Sequence, residues 1–279
     1  MLNRSFKIPA VVPILLFLAL LLCGIPKFRK ALSKGVKDGS HNESLSDRIL
    51  IAGGRLVMID RASKTVLWQS TELHGALSVA TLPNGDFLVG EGKSIARVNG
   101  EGKLVLRNTT PFKMTTDVKS LSNERMLVSD GPAGKVVEMD WAGNIFWSVS
   151  KLHHPSEAVR LENGNTLIAD GTAALKEFDS SGNLLRTTWL KQWAGAVQRF
   201  PDGNTLVGES QSFELLDMNG HPMWSLQVPS RVTGVQRLSD NEYLISEPDT
   251  GSVAILDMGG RIIWEVTGLR YPWRAIYVR

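Results

Sequence analysis

The chain has 279 residues, 43% of them hydrophobic, with 31 basic and 28 acidic side chains. Residues 1–47 hold seven of the basic and three of the acidic residues, which leaves 24 and 25 for the remainder. A body so close to neutral excludes the clustered basic surface that a phosphate backbone needs, so no nucleic acid is expected as a partner. The single cysteine, Cys23, excludes an intradomain disulfide and a Cys-rich metal site.

Residues 1–30 read as a membrane anchor or signal segment. Ile8 to Ile25 is a run of 18 residues without a charge, about 27 Å as a helix, enough for a hydrocarbon core. No A-x-A pattern marks a cleavage site, and Leu22, not a small residue, precedes Cys23. An uncleaved helical anchor fits best; a cleaved signal peptide and a lipoprotein signal stay open. Residues 31–47, with Gly35, Gly39, Ser40 and Asn42, read as a polar linker.

Residues 48–279 carry an internal repeat. The segments LPNGDFLVGE (82–91), LSNERMLVSD (121–130), LENGNTLIAD (161–170), FPDGNTLVGE (200–209) and LSDNEYLISE (238–247) align. Their leucines, Leu88, Leu127, Leu167, Leu206 and Leu244, are spaced by 38 to 40 residues, and Leu50 lies one period earlier. Each copy parses into four short strands. A turn such as Pro83-Asn84-Gly85 joins the first to the second. The third strand ends at an Asp or Asn followed by a Gly turn, as in Asp140 to Gly143, Asp179 to Gly182 and Asp257 to Gly260. Asp and Asn bond their own downstream backbone there, and Gly accepts positive φ. A fourth strand follows, ending in tryptophan at Trp68, Trp147, Trp224 and Trp264. Four strands in about 40 residues predict an all-β, six-bladed β-propeller with four-stranded blades. The first copy lacks its first strand, and Trp273–Arg279 resembles a first strand with nothing after it. The C-terminal strand is therefore expected to complete blade one (velcro closure) and cover its open edge.

The D-x-x-G-x-x-x-W pattern resembles the quinoprotein-like propellers, a superfamily that includes an outer-membrane assembly lipoprotein and bacterial arylsulfotransferases. The resemblance covers Leu50 to Arg279. Blades two and four depart from it, with Leu106 and Arg186 in place of the tryptophan. Quinone-dependent dehydrogenases of the group have eight blades, so no PQQ is expected here, nor any other cofactor beyond a possible divalent cation. Basic residues flank the hydrophobic run on both sides, with Lys27, Arg29, Lys30, Lys34 and Lys37 after it. Counted literally, they would leave the propeller cytoplasmic. Similar propellers with one such segment are usually exported, so a periplasmic or extracytoplasmic location is expected and the cytoplasmic face stays open.

Chemistry in such a fold would sit in the central channel and on the face carrying the loops before each first strand. An acid closes the second strand in five copies: Glu91, Asp130, Asp170, Glu209 and Glu247. Repetition in nearly every blade favours a structural cap over an acidic binding rim. The channel position reads Ser78, Asp117, Glu157, Ala196, Gly234 and Ala275, so Asp117 and Glu157 break a small-residue pattern. They are candidate ligand-binding residues and candidate ligands for a divalent metal. His74, His153 and His154 are candidate catalytic bases or nucleophiles. Arg231, Arg270, Trp273 and Arg274 form a candidate ligand-binding group in the loops leading to blades six and one. The expected function is non-enzymatic: a membrane-tethered binding or scaffold propeller of the bacterial cell envelope, meeting an envelope or membrane protein through its top face. An arylsulfotransferase-like enzyme and a metal-dependent lactonase or hydrolase using the channel are the alternatives.

Overall fold

The structure, a computed structural model, describes residues 47–121 and 124–278. The expected anchor (1–30) and all of the linker but Asp47 lie outside the described residues. Among those described, no helix is long and apolar enough to cross a membrane.

Among the described residues, twenty-four strands form six four-stranded antiparallel sheets. Blade one holds β1 (Arg48–Gly53), β2 (Arg55–Asp60) and β3 (Val66–Gln69). Blade two holds β4 (Ala76–Thr81), β5 (Phe87–Glu91), β6 (Ser94–Val98) and β7 (Leu104–Asn108). Blade three holds β8 (Thr115–Ser120), β9 (Met126–Asp130), β10 (Lys135–Met139) and β11 (Ile145–Val149). Blade four holds β12 (Glu157–Arg160), β13 (Thr166–Asp170), β14 (Ala174–Phe178) and β15 (Leu184–Trp189). Blade five holds β16 (Ala194–Arg199), β17 (Thr205–Glu209), β18 (Ser212–Leu216) and β19 (Pro222–Gln227). Blade six holds β20 (Gly234–Arg237), β21 (Glu242–Glu247), β22 (Ser252–Asp257) and β23 (Ile262–Val266). The last described strand, β24 (Arg274–Val278), pairs antiparallel with β1 and is the inner, first strand of blade one.

The turns follow from local chemistry. In the first hairpin of blade two, Leu82 accepts from Gly85 at 3.0 Å, and Gly85 takes φ +87°. At the β14–β15 hairpin of blade four Asp179 Oδ1 accepts from the N–H groups of Ser181 and Asn183, both at 2.8 Å. The outer strand of every blade carries one extra, bulged residue near this turn. A bulge adds twist, which suits a blade that fans outward from an axis.

The apolar second strands are buried along their whole length in blades two to five, as short continuous hydrophobic runs predict. Successive side chains point to opposite faces, so each such strand feeds two cores. Leu88 packs with blade three, while Phe87 and Val89 pack with blade one. Six apolar clusters result, each wedged between neighbouring blades, including one between blades six and one that contains Trp264 and Ala275. The outer-strand tryptophans dock on the next blade's turn: Trp147 Nε1 donates to Asp179 O at 3.2 Å, and Trp264 Nε1 to Arg61 O at 2.7 Å.

Candidate functional site

The inner strands bring one residue per blade to the channel. Ser78 pairs with Gly90, Asp117 with Ser129, Glu157 with Ala169, Ala196 with Gly208 and Gly234 with Ser246. In blade one the residue in this register is Arg274, paired with Ala52. The sequence pattern placed Ala275 there and Arg274 in a loop; the structure corrects both by one residue. Ala275 turns instead into the core between blades six and one. The ring is thus Arg274, Ser78, Asp117, Glu157, Ala196 and Gly234, and every member is buried.

Arg274 reaches across the channel from blade one to blades three and four. Its Nη1 donates to Glu157 Oε2 at 2.8 Å, and its Nη2 lies 3.5 Å from Asp117 Oδ1. The small ring members leave room: a Cβ on Gly234 would sit 3.3 Å from Arg274 Cδ. Lys119, on the same face of β8 as Asp117, completes the cluster. Its ammonium pairs with Glu157 and lies 3.6 Å from Asp117 Oδ1. Two carboxylates and two cations therefore neutralise one another where Arg274, Asp117 and Glu157 are each no more than 3% exposed.

The carboxylates also fasten blades. Glu157 Oε2 accepts the Val197 N–H at 2.9 Å, and the Ala158 N–H points at Asp117. Two glutamines do the same one pleat along, Gln198 for the Arg237 N–H at 2.9 Å and Gln236 for the Tyr277 N–H at 2.8 Å. Inner-strand N–H groups facing the channel have no sheet partner, and buried ones must find another. Burial pushes Asp117 up to about 7, with Glu157 adding to the effect and Lys119 and Arg274 opposing it. Burial also presses on Glu157, but Arg274 and Lys119 outweigh it and hold the carboxyl below its ordinary range. Asp117 and Glu157, taken from sequence as possible metal ligands, are thus occupied by the chain's own cations. No group of three or more His, Cys, Asp or Glu side chains could hold a metal among the described residues.

The repeated acids hold the loop that enters their own blade. Glu91 accepts the His74 N–H at 2.5 Å, Asp130 the Lys113 N–H at 2.8 Å, and Asp170 the His153 N–H at 2.7 Å. Gln192 and Ser230 stand in the same relation to Glu209 and Glu247. The donor precedes the acid by 17 residues in all five.

His74, His153 and His154 lie in these loops with exposed side chains. His74 and His153 are bound to the acids through their backbone. The other arginines are elsewhere. Arg231 donates to Asp249 Oδ1 at 2.8 Å and to the Tyr271 hydroxyl at 2.6 Å. Its guanidinium also lies 5.5 Å from the ring centre of Trp273, which stacks on Tyr271. Arg270 is exposed nearby in sequence. Among the described residues no hydrogen bond or ion pair joins a histidine to any of these arginines. Sequence reasoning missed Lys119, although strand alternation from Asp117 pointed to it. It also missed the true position of Arg274, although Arg274-Ala275-Ile276 matches Glu157-Ala158-Val159 in pattern.

No family model matches the chain, and no curated protein matches it. Solved structures do. A protein of unknown function from Bacteroides caccae superposes with a TM-score of 0.70 at 15% identity, over 84% of this chain and 99% of that one. A chain of a nidogen–laminin complex gives 0.68 at 11% identity, over 84% and 99%. Virginiamycin B lyase from Staphylococcus aureus gives 0.54 at 14% identity, over 69% and 70%. At these identities the likeness is one of fold alone, and the fold is the six-bladed β-propeller.

Proposed function

We propose that this chain is a non-enzymatic binding propeller, tethered at a membrane of the bacterial cell envelope by residues 1–30. Its protein partner docks on the face that carries the loops before each inner strand. The observation that carries this proposal is the occupation of the channel. Asp117 and Glu157 hold Arg274, Lys119 and the neighbouring blades, so the side chains a lactonase-type metal site would use are committed to architecture. An arylsulfotransferase-like site would need a histidine and an anion-holding arginine together, and among the described residues Arg274 bonds to Glu157 and to no histidine.

The same face offers exposed Lys93, Lys113, Lys151, Lys191 and Arg270 against the acids Glu72 and Asp249. With the Arg231–Tyr271–Trp273 stack this mixture of cations and aromatics suits an acidic protein surface. The propeller's near-neutral total hides this, because the turns of the opposite face carry the balancing acids, among them Asp86, Asp140, Asp179, Asp202 and Asp240. Affiliation with the quinoprotein-like propellers, which rests on the D-x-x-G-x-x-x-W repeat and its tryptophan docking, belongs to the same proposal. The test is cross-linking of the full-length chain in native membranes. A partner is recovered by the unsubstituted chain and lost with Arg231→Glu and Arg270→Glu together. A chain that cross-links to nothing, or a partner indifferent to both substitutions, would overturn the proposal.

A further inference from the structure

Blade six sets a carboxylate where blade two sets a cation beside the repeated acid. In blade two, Glu91 receives Ser94 Oγ at 3.3 Å and a two-pronged bond from Arg107 of the outer strand, at 2.8 and 3.1 Å. Arg107 pairs with Ala96, two residues beyond Ser94. In blade six, Glu247 receives Ser252 Oγ at 3.1 Å, and the residue paired with Ala254, two beyond Ser252, is Glu265. A second carboxylate therefore stands where blade two places its guanidinium. Blade four answers its acid with Lys176, 2.5 Å from Asp170; blade six supplies no such cation.

Glu247 is only 6% exposed, and its Oε1 is buried without a hydrogen-bond partner. A lone buried carboxylate oxygen is costly and uncommon in a folded protein. Burial, with Glu265 adding its like charge, pushes the Glu247 carboxyl up. Both carboxylates line a cleft of about 240 Å³ between blades five and six. Its other walls include Leu226, Val228, Leu256 and Ile262.

We infer that this cleft binds an organic cation on an aliphatic stem, an ammonium or guanidinium group that takes the place Arg107 occupies in blade two. The two carboxylates meet the charge and the apolar walls meet the stem, as lysine and arginine side chains divide themselves between water and apolar surface. A hard divalent metal would need six to eight oxygen ligands, which apolar walls do not offer. The inference stands apart from the proposed top-face partner. The cation could belong to a peptide side chain or to a free polyamine.

Thermal melting of the full-length chain tests it, because a ligand of the native state raises stability by mass action. The probes are Nα-acetyl-lysine methylamide, putrescine, uncharged Nα-acetyl-norleucine methylamide and calcium chloride. At least one of the two amines should raise Tm saturably, while the norleucine amide and calcium should not; the amine acting at lower concentration identifies the source. Glu247→Gln and Glu265→Gln should each abolish the rise, and Glu101→Gln, in an exposed turn, should leave it. Glu265→Arg, which copies blade two, should raise the unliganded Tm and remove the response. No response to either amine, a response undiminished in the Glu247 and Glu265 variants, an equal response to the norleucine amide, or a response to calcium in their place would overturn the inference.

Discussion

Arg274→Leu is the substitution that bears hardest on the channel. Leucine keeps apolar volume beside Gly234 and removes the guanidinium. Asp117 and Glu157, 1% and 3% exposed, then keep Lys119 as their one cation, and its side chain is 27% exposed. Removing one partner of a buried ion pair costs about 3–5 kcal/mol. Protonation sets a ceiling on that cost. Asp117 stands near 7 with Arg274 present, so it gains little by further protonation at neutral pH. Glu157 can escape by taking up a proton, which from its ordinary 4.5 costs about 3 kcal/mol at pH 7. The expected loss at pH 7 is therefore about 3 kcal/mol. Its pH dependence has a definite sign. In the native chain Glu157 is held below 4.5 and stabilises the fold above that pH. In the variant both carboxyls have folded values above their unfolded ones, and this penalty is relieved as pH falls from 7 towards 4.5. The deficit should shrink to about half or less at pH 5. Urea unfolding of the full-length chain, followed by tryptophan fluorescence at pH 7 and 5, measures both quantities. In a background of Asp117→Asn with Glu157→Gln, Arg274→Leu should cost under about 1 kcal/mol, since replacing all members of a buried ionic group is often neutral. A loss below about 1 kcal/mol in the native background, or one equal at both pH values, would refute the reasoning.

Other expectations follow from single contacts. Gly102 has φ +83°, and a Cβ there would fall 2.5 Å from Trp68 Cε3. Gly102→Ala should therefore lose at least about 2 kcal/mol, whereas Gly85→Ala, at φ +87° with open space around it, should lose only the left-handed penalty of about 1–2 kcal/mol; the two Tm values compare them. Trp264→Phe keeps the ring between blades six and one but drops the 2.7 Å bond to Arg61 O, a loss of about 1 kcal/mol in chemical denaturation. Millimolar calcium or zinc should leave the Tm of the native chain unchanged, and a rise abolished by Asp117→Ala with Glu157→Ala would show that the channel carboxylates can exchange their cations for a metal.

The parts of the fold legible in the sequence are those with local causes. Asp179 and Gly182 make a turn by themselves, and Thr166–Ala169 is apolar because a second strand is buried on both faces, so the period, the six blades and the strand parse could be read directly. The register of β24 could not. Its sheet partner is β1, more than 200 residues earlier, so no tight turn between the two sets their register, and a slip of one residue sends a side chain to the opposite face. That slip separated Arg274 from Glu157, 117 residues away in sequence, and left two acids that looked like ligands waiting for a metal. The same limit hid blade six. Glu265 is an ordinary outer-strand glutamate until pairing with Ala254 makes it the counterpart of Arg107. Once register is known, a departure from the repeat can be judged by whether its charge is answered. In the channel Asp117 and Glu157 are answered by Arg274 and Lys119, and the departure fastens the blades. At Glu247 the chain answers with the Ser252 hydroxyl and the Ser230 N–H but with no cation, and Glu265 stands where blade two sets Arg107, which leaves that place for a cation from outside.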